Sequence, residues 1–142
     1  MRKLTGLFLL ALAGQVAHAA GPLPAANHPL LGVWRLELPQ IGCYETYHFR
    51  ADGTSLVTSA DEVSESEFHV MDKPSAAGFY KLEDHIVKDN GKKDCAGEIT
   101  KPGAKAVNYL RFHPSNSLFL MCADESMKTC IGPFERVESP SI

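Results

Sequence analysis

Long apolar runs are scarce in this chain, and none reaches the length of a membrane span. Clusters of basic residues are missing too. The sequence holds 14 Lys and Arg against 17 Asp and Glu, a formal charge of -3. That balance argues against nucleic acid and against an anionic membrane surface, since both need concentrated positive charge. No Cys-x-x-Cys pair occurs, and no His-x-His or His-x-x-x-His spacing that would hold a metal. No Gly-x-Ser-x-Gly elbow presents a nucleophile, and no glycine motif cradles phosphate. No catalytic residue, metal ligand or cofactor is therefore expected, and the chain reads as a non-enzyme. Helical amphipathic periodicity, internal repeats and low-complexity tracts are absent as well.

What the chain does have is a foldable composition, with 44% hydrophobic and 22% charged residues among 142. Residues 1–19 read as a removable export signal. Arg2 and Lys3 are its positive start, Leu7 to Ala13 its apolar run, and Ala17-His18-Ala19 a small-x-small cleavage site. Losing Arg2 and Lys3 makes the remainder more acidic still. The compact pattern points to a bacterial periplasmic or secreted protein of one domain. Residues 20–29 follow as an extended, loosely attached tail marked by Pro22 and Pro24. The expected β domain spans 30–137, and 138–142 form a C-terminal tail.

The four cysteines, Cys43, Cys95, Cys122 and Cys130, all lie beyond the signal. An even count in an exported chain argues for two disulfides. A hairpin turning near Ser126 sets Cys122 opposite Cys130, which leaves Cys43–Cys95. The second pairing closes a loop of roughly 50 residues, worth on the order of 4 kcal/mol by chain entropy.

Short strand-like runs alternate with turn signals along the chain. They are Leu31–Leu38, Cys43–Arg50, Thr54–Ser59, Glu62–Met71, Gly78–Val87, Val107–His113, Leu118–Cys122 and Thr129–Val137. Eight short strands with hairpin connections, and no helix to cover them, argue for an all-β antiparallel meander closed into a small barrel. A β-sandwich is the alternative. Trp34, Leu36 and Leu38 alternate with Val33, Arg35 and Glu37, as one dry and one wet face require. Glu62, Glu65 and Glu67 read together as a solvated acidic stripe.

Gly32-Val33-Trp34, following Leu30-Leu31, resembles the G-x-W signature of lipocalins and the wider calycin superfamily. In those barrels the Trp closes one end and an Arg on the last strand packs across its ring, a role that the resemblance gives to Trp34 and Arg136. The strand region is shorter than in lipocalins and no helix follows it. Small bacterial calycins, among them periplasmic metalloprotease inhibitors, are closer in length. The resemblance to those implies inhibition through the N-terminal tail. The segment from Cys43 to Gly53 is similar to lipocalin-like domains of exported bacterial proteins, which implies a fold and no ligand.

Glu45 shares a strand face with Cys43, Tyr47 and Phe49. If Tyr47 and Phe49 point inward, so does Glu45, and a buried carboxylate needs a partner. A structural ion pair to Arg136 or Arg111 competes with a ligand-orienting role and with the opposite face assignment. Tyr47, Tyr80 and Tyr109 offer apolar rings with hydroxyl tips, suited either to a core or to a pocket. Glu45, Tyr47, Tyr80 and Tyr109 are thus the candidate binding residues. The expected function is that of a monomeric binding protein holding a small apolar ligand or an envelope protein. A tail-mediated protease inhibitor and a filled structural barrel are the rivals.

Overall fold

The computed structural model describes residues 21–137. The expected signal and the C-terminal tail lie outside them. Period-two alternation is clearest in the strand Glu62–Val70. In Glu62–Val70 the even positions Glu62, Ser64, Ser66, Phe68 and Val70 are buried, while the residues between them face outward. The strands are β1 (Gly32–Leu38), β2 (Cys43–Phe49), β3 (Thr54–Ser59), β4 (Glu62–Val70), β5 (Tyr80–Asp89), β6 (Lys105–Phe112), β7 (Leu118–Cys122) and β8 (Cys130–Arg136). A single 3-10 turn, Pro39–Ile41, interrupts them. Each strand pairs antiparallel with the next. β8 returns to β1 through Trp34↔Arg136 and Leu36↔Phe134, which closes the barrel. The sandwich does not form, and closure leaves no sheet edge unpaired.

Turn chemistry fixes the register. Asp52 Oδ1 accepts from the Thr54 amide at 2.9 Å and from its hydroxyl at 2.6 Å. Gly53, at φ 81°, completes the β2–β3 turn. Asn116 takes the left-handed position between β6 and β7 at φ 56°. Both expected disulfides are present. Cys122–Cys130 joins two residues that already face each other in the β7–β8 register. Cys43–Cys95 ties the start of β2 to the long β5–β6 loop.

One end of the barrel is a floor. Phe119 and Phe134 stack with centroids 4.5 Å apart, and Trp34 meets Phe119 edge-on at 4.7 Å. Each large side chain buried there contributes about 1.5–3 kcal/mol. The Arg136 guanidinium lies 4.2 Å from the Trp34 ring centroid. It donates to the carbonyls of Leu31 at 2.8 Å, Pro29 at 2.6 Å and Asn116 at 3.2 Å. Trp34 Nε1 donates to the Leu30 carbonyl at 2.7 Å. One side chain therefore holds the segment before β1 and the β6–β7 turn onto the same indole.

The segment from Gly21 to Pro29 is not loose. Pro24 and His28 are buried. The Ala25 amide donates to Asp72 Oδ1 at 3.2 Å, and Pro22 O lies 3.3 Å from His69 Nδ1. His28 Nε2 reaches the Met71 carbonyl at 3.1 Å, its Nδ1 accepts from the Leu30 amide at 3.1 Å, and its ring meets Tyr80 edge-on. Proline stiffness, expected to keep this strap extended and free, instead presets it for packing along the barrel wall.

Candidate functional site

The end opposite the floor is a polar mouth. β2, β3, β4 and β5 each turn a polar side chain inward there. Glu45 Oε2 accepts from the Tyr47 hydroxyl at 2.5 Å, and Glu45 Oε1 accepts from Ser59 Oγ at 2.6 Å. Ser59 Oγ in turn accepts from the Cys95 amide at 2.9 Å. The chain of donors runs from the β5–β6 loop, through β3, to one carboxylate on β2. Hydrogen bonds to a charged group are worth about 1.5–3 kcal/mol each, so Glu45 is well held. Burial, with the Glu45 charge beside it, pushes the Tyr47 phenol well above its ordinary range. Tyr47 therefore acts as a neutral donor.

A second polar group lies beside the first. Glu62 is 5% exposed. It stands at the start of β4, and Asp89 stands at the end of the neighbouring β5, where Ser64 pairs with Asp89. Glu62 Oε1 and Asp89 Oδ2 are buried and receive no donor among the described residues. Burial first, and then Asp89, raise Glu62 above its ordinary value, while Thr100 nearby opposes them. Burial also raises Asp84, against a hydrogen bond from Ser66.

Of the expected binding residues, the structure brings only Glu45 and Tyr47 together. Tyr80 belongs to the floor, against His28 at 4.9 Å and Phe112 at 5.7 Å. Tyr109 alternates with fully buried Leu110 and pairs across the strands with Lys81 and Cys122. It faces away from the core, so the three tyrosines line no common pocket. Neither Arg136 nor Arg111 reaches Glu45. Arg136 is engaged at the floor, and Arg111 contacts Met127 Sδ at 3.1 Å. The acidic stripe is also corrected, because Glu62 has the parity of Phe68 and turns inward, away from Glu65 and Glu67. Asp84, Asp89, Ser59 and Thr100 went unmarked in the sequence. The parity of Asp84 with Leu82 was the one available signal for them.

A different feature lies outside the barrel wall. Arg111, His113, Leu118, Leu120, Met127 and Pro133 border an apolar hollow of about 320 Å³ over β6, β7 and β8. Met127 stands at φ 61° in the β7–β8 loop and is 41% exposed. The Arg111 guanidinium lies 5.5 Å from the Phe79 ring centroid, between that ring and Met127. A second hollow, about 390 Å³, runs along β4 and β5 beside Gly21, with Glu67, His69, Glu83 and His85 at its border. Glu45, Tyr47 and Tyr80 border neither one. Among the described residues no group of three His, Cys, Asp or Glu side chains is placed to hold a metal ion, and no helix is long and apolar enough to cross a membrane. Comparison with known protein families, curated proteins and solved structures finds no match.

Proposed function

We propose that this chain is an exported, non-enzymatic barrel of the calycin kind that holds a protein partner on the outer face of β6–β8. The observation that carries this reading is the apolar hollow bounded by Leu120, Met127 and Pro133, with Arg111 at its border. Exposed apolar surface bordered by polar groups is where proteins associate. The Arg111 guanidinium forms no ion pair among the described residues. It is thus free to receive a carboxylate beside an apolar anchor. Export is supported by the residue 1–19 pattern and by the engagement of all four cysteines in disulfides. Kinship with calycins is supported by Gly32, Trp34 and Arg136 meeting at the floor.

An interior apolar ligand fits less well. Stacked Phe119 and Phe134, with Tyr47 edge-on to Phe134 at 5.1 Å, extend the packed floor into the barrel interior. Inhibition through a projecting tail also fits less well, because Pro24 and His28 are packed. A photo-crosslinking residue at Leu120, with a second at Glu65 as control, tests the reading in the native compartment. The expected result is one discrete protein adduct from Leu120, lost on Met127→Lys. Native mass spectrometry showing a retained small molecule, with no Leu120 adduct, would overturn it.

A further inference from the structure

On the reading that the outer face of β6–β8 is a docking face, we infer that its occupant is a second copy of this chain. The contact is two-fold, and in it Arg111 of each copy meets Glu135 of the other. Closure of the barrel leaves no strand edge to extend. Association must then run through side chains on a face.

The registers set those side chains on a grid. Arg111 of β6 pairs with Leu120 of β7, and the His113 amide donates to the Leu118 carbonyl at 2.9 Å. Leu118 in turn pairs with Glu135 of β8, and Pro133 stands two residues before Glu135, beside Leu120. Half-buried Leu118 and Leu120 therefore occupy the middle. Exposed Arg111 and Glu135 hold opposite corners, and His113 and Pro133 the other two. Neighbouring strands lie about 4.8 Å apart and alternate residues about 7 Å, so the charged corners are about 12 Å apart.

A two-fold axis through the centre of this grid exchanges opposite corners. It lays Arg111 over Glu135 of the partner subunit and Glu135 over the partner's Arg111. The His113 ring then faces the partner's Pro133, and the central leucines face one another. A surface that maps onto its own complement in this way is what a closed dimer requires. Both charges are available. Neither Arg111 nor Glu135 belongs to an ion pair among the described residues. Arg35, across from Glu135 on β1, is engaged with Glu37 and lies 3.8 Å from the Tyr44 ring centroid. Arg111 is already held between the Phe79 ring and Met127 Sδ, so fixing it at a contact costs little further side-chain entropy. The apolar hollow beside it, bordered by Leu118, Leu120 and Pro133, supplies the surface that excludes water from the charge pair.

Sedimentation equilibrium of the disulfide-bonded chain at high micromolar concentration tests this. The expected result is a dimer, in place of the monomer expected from the sequence. Arg111→Glu and Glu135→Arg, each alone, put two like-charge pairs across the axis and should weaken association by about tenfold or more. An equimolar mixture of the two variants should recover the dimer, because every charged contact across the axis then joins opposite signs. Recovery in the mixture also shows that both variants fold. A monomeric wild-type chain overturns the second copy, and so does a dimer that both single variants retain. Crosslinking from Leu120 separates this outcome from failure of the docking face. A Leu120 adduct with a different protein, from a chain that is monomeric alone, overturns the second copy and keeps the face. A dimer that both variants retain, with no Leu120 adduct, overturns both.

Discussion

Gly32 has φ 121°, and a Cβ placed there would lie 2.8 Å from Arg136 Nη1. The glycine of the G-x-W tripeptide is therefore needed twice, for its backbone angle and for the room it leaves the guanidinium. Gly32→Ala is expected to cost on the order of 1–3 kcal/mol, because the strain persists even if the long Arg136 side chain swings aside. Urea denaturation followed by Trp34 fluorescence measures the cost. An unchanged midpoint would show that Arg136 can leave the indole freely. This corner was readable beforehand, because a tripeptide resemblance and strand parity both pointed to Trp34 and Arg136. The partners of Glu45 were not. Strand alternation turned the side chain inward, but Ser59 lies 14 residues away and the Cys95 amide lies on a loop. Only the three-dimensional register selects hydroxyls over arginines.

At the scale of the element, the two disulfides do different work. Cys122 and Cys130 are 8 residues apart in a hairpin that the register already pairs, whereas Cys43 and Cys95 are 52 apart. Chain entropy assigns about 2.5 kcal/mol to the short loop and about 4 kcal/mol to the long one. The double variant Cys43→Ser with Cys95→Ser should therefore unfold at lower urea than Cys122→Ser with Cys130→Ser. Equilibrium denaturation of both decides the order, and a reversed order would mean that the β7–β8 hairpin depends on its crosslink to form. Strand limits were legible to within a residue or two for most elements, since turn residues such as Asp52-Gly53 and Asn116 punctuate them. The acidic stripe misled because three glutamates were grouped by charge, and on a strand the count by twos outranks charge. The tail misled because prolines announce stiffness and not where a stiff segment rests.

Across the whole molecule, the two ends of the barrel titrate in opposite directions. At the floor, burial lowers His28 below its ordinary 6.5, against smaller contributions from Met71 and Asp72 that raise it. The unfolded chain then binds the proton more readily than the folded one. Stability from a neutral His28 is complete above pH 6.5 and is lost as pH falls below it. Burial raises Glu62, at the mouth, and Asp84, on the β5 wall, above their ordinary 4.5 and 3.8. There the folded chain binds the proton more readily, so stability is greatest in acid and declines as pH rises past those values. Between the ordinary values of 4.5 and 6.5 the slopes oppose, so the wild-type denaturation midpoint should vary less than either titration alone would make it. Single substitutions should uncover each slope. His28→Asn, which removes the floor titration, should leave a protein whose midpoint falls as pH rises from 4.5 to 6.5. Glu62→Gln should do the reverse and steepen the rise. Urea midpoints at half-unit pH steps for the three proteins settle the matter. Parallel curves would show that neither group titrates differently in the folded barrel.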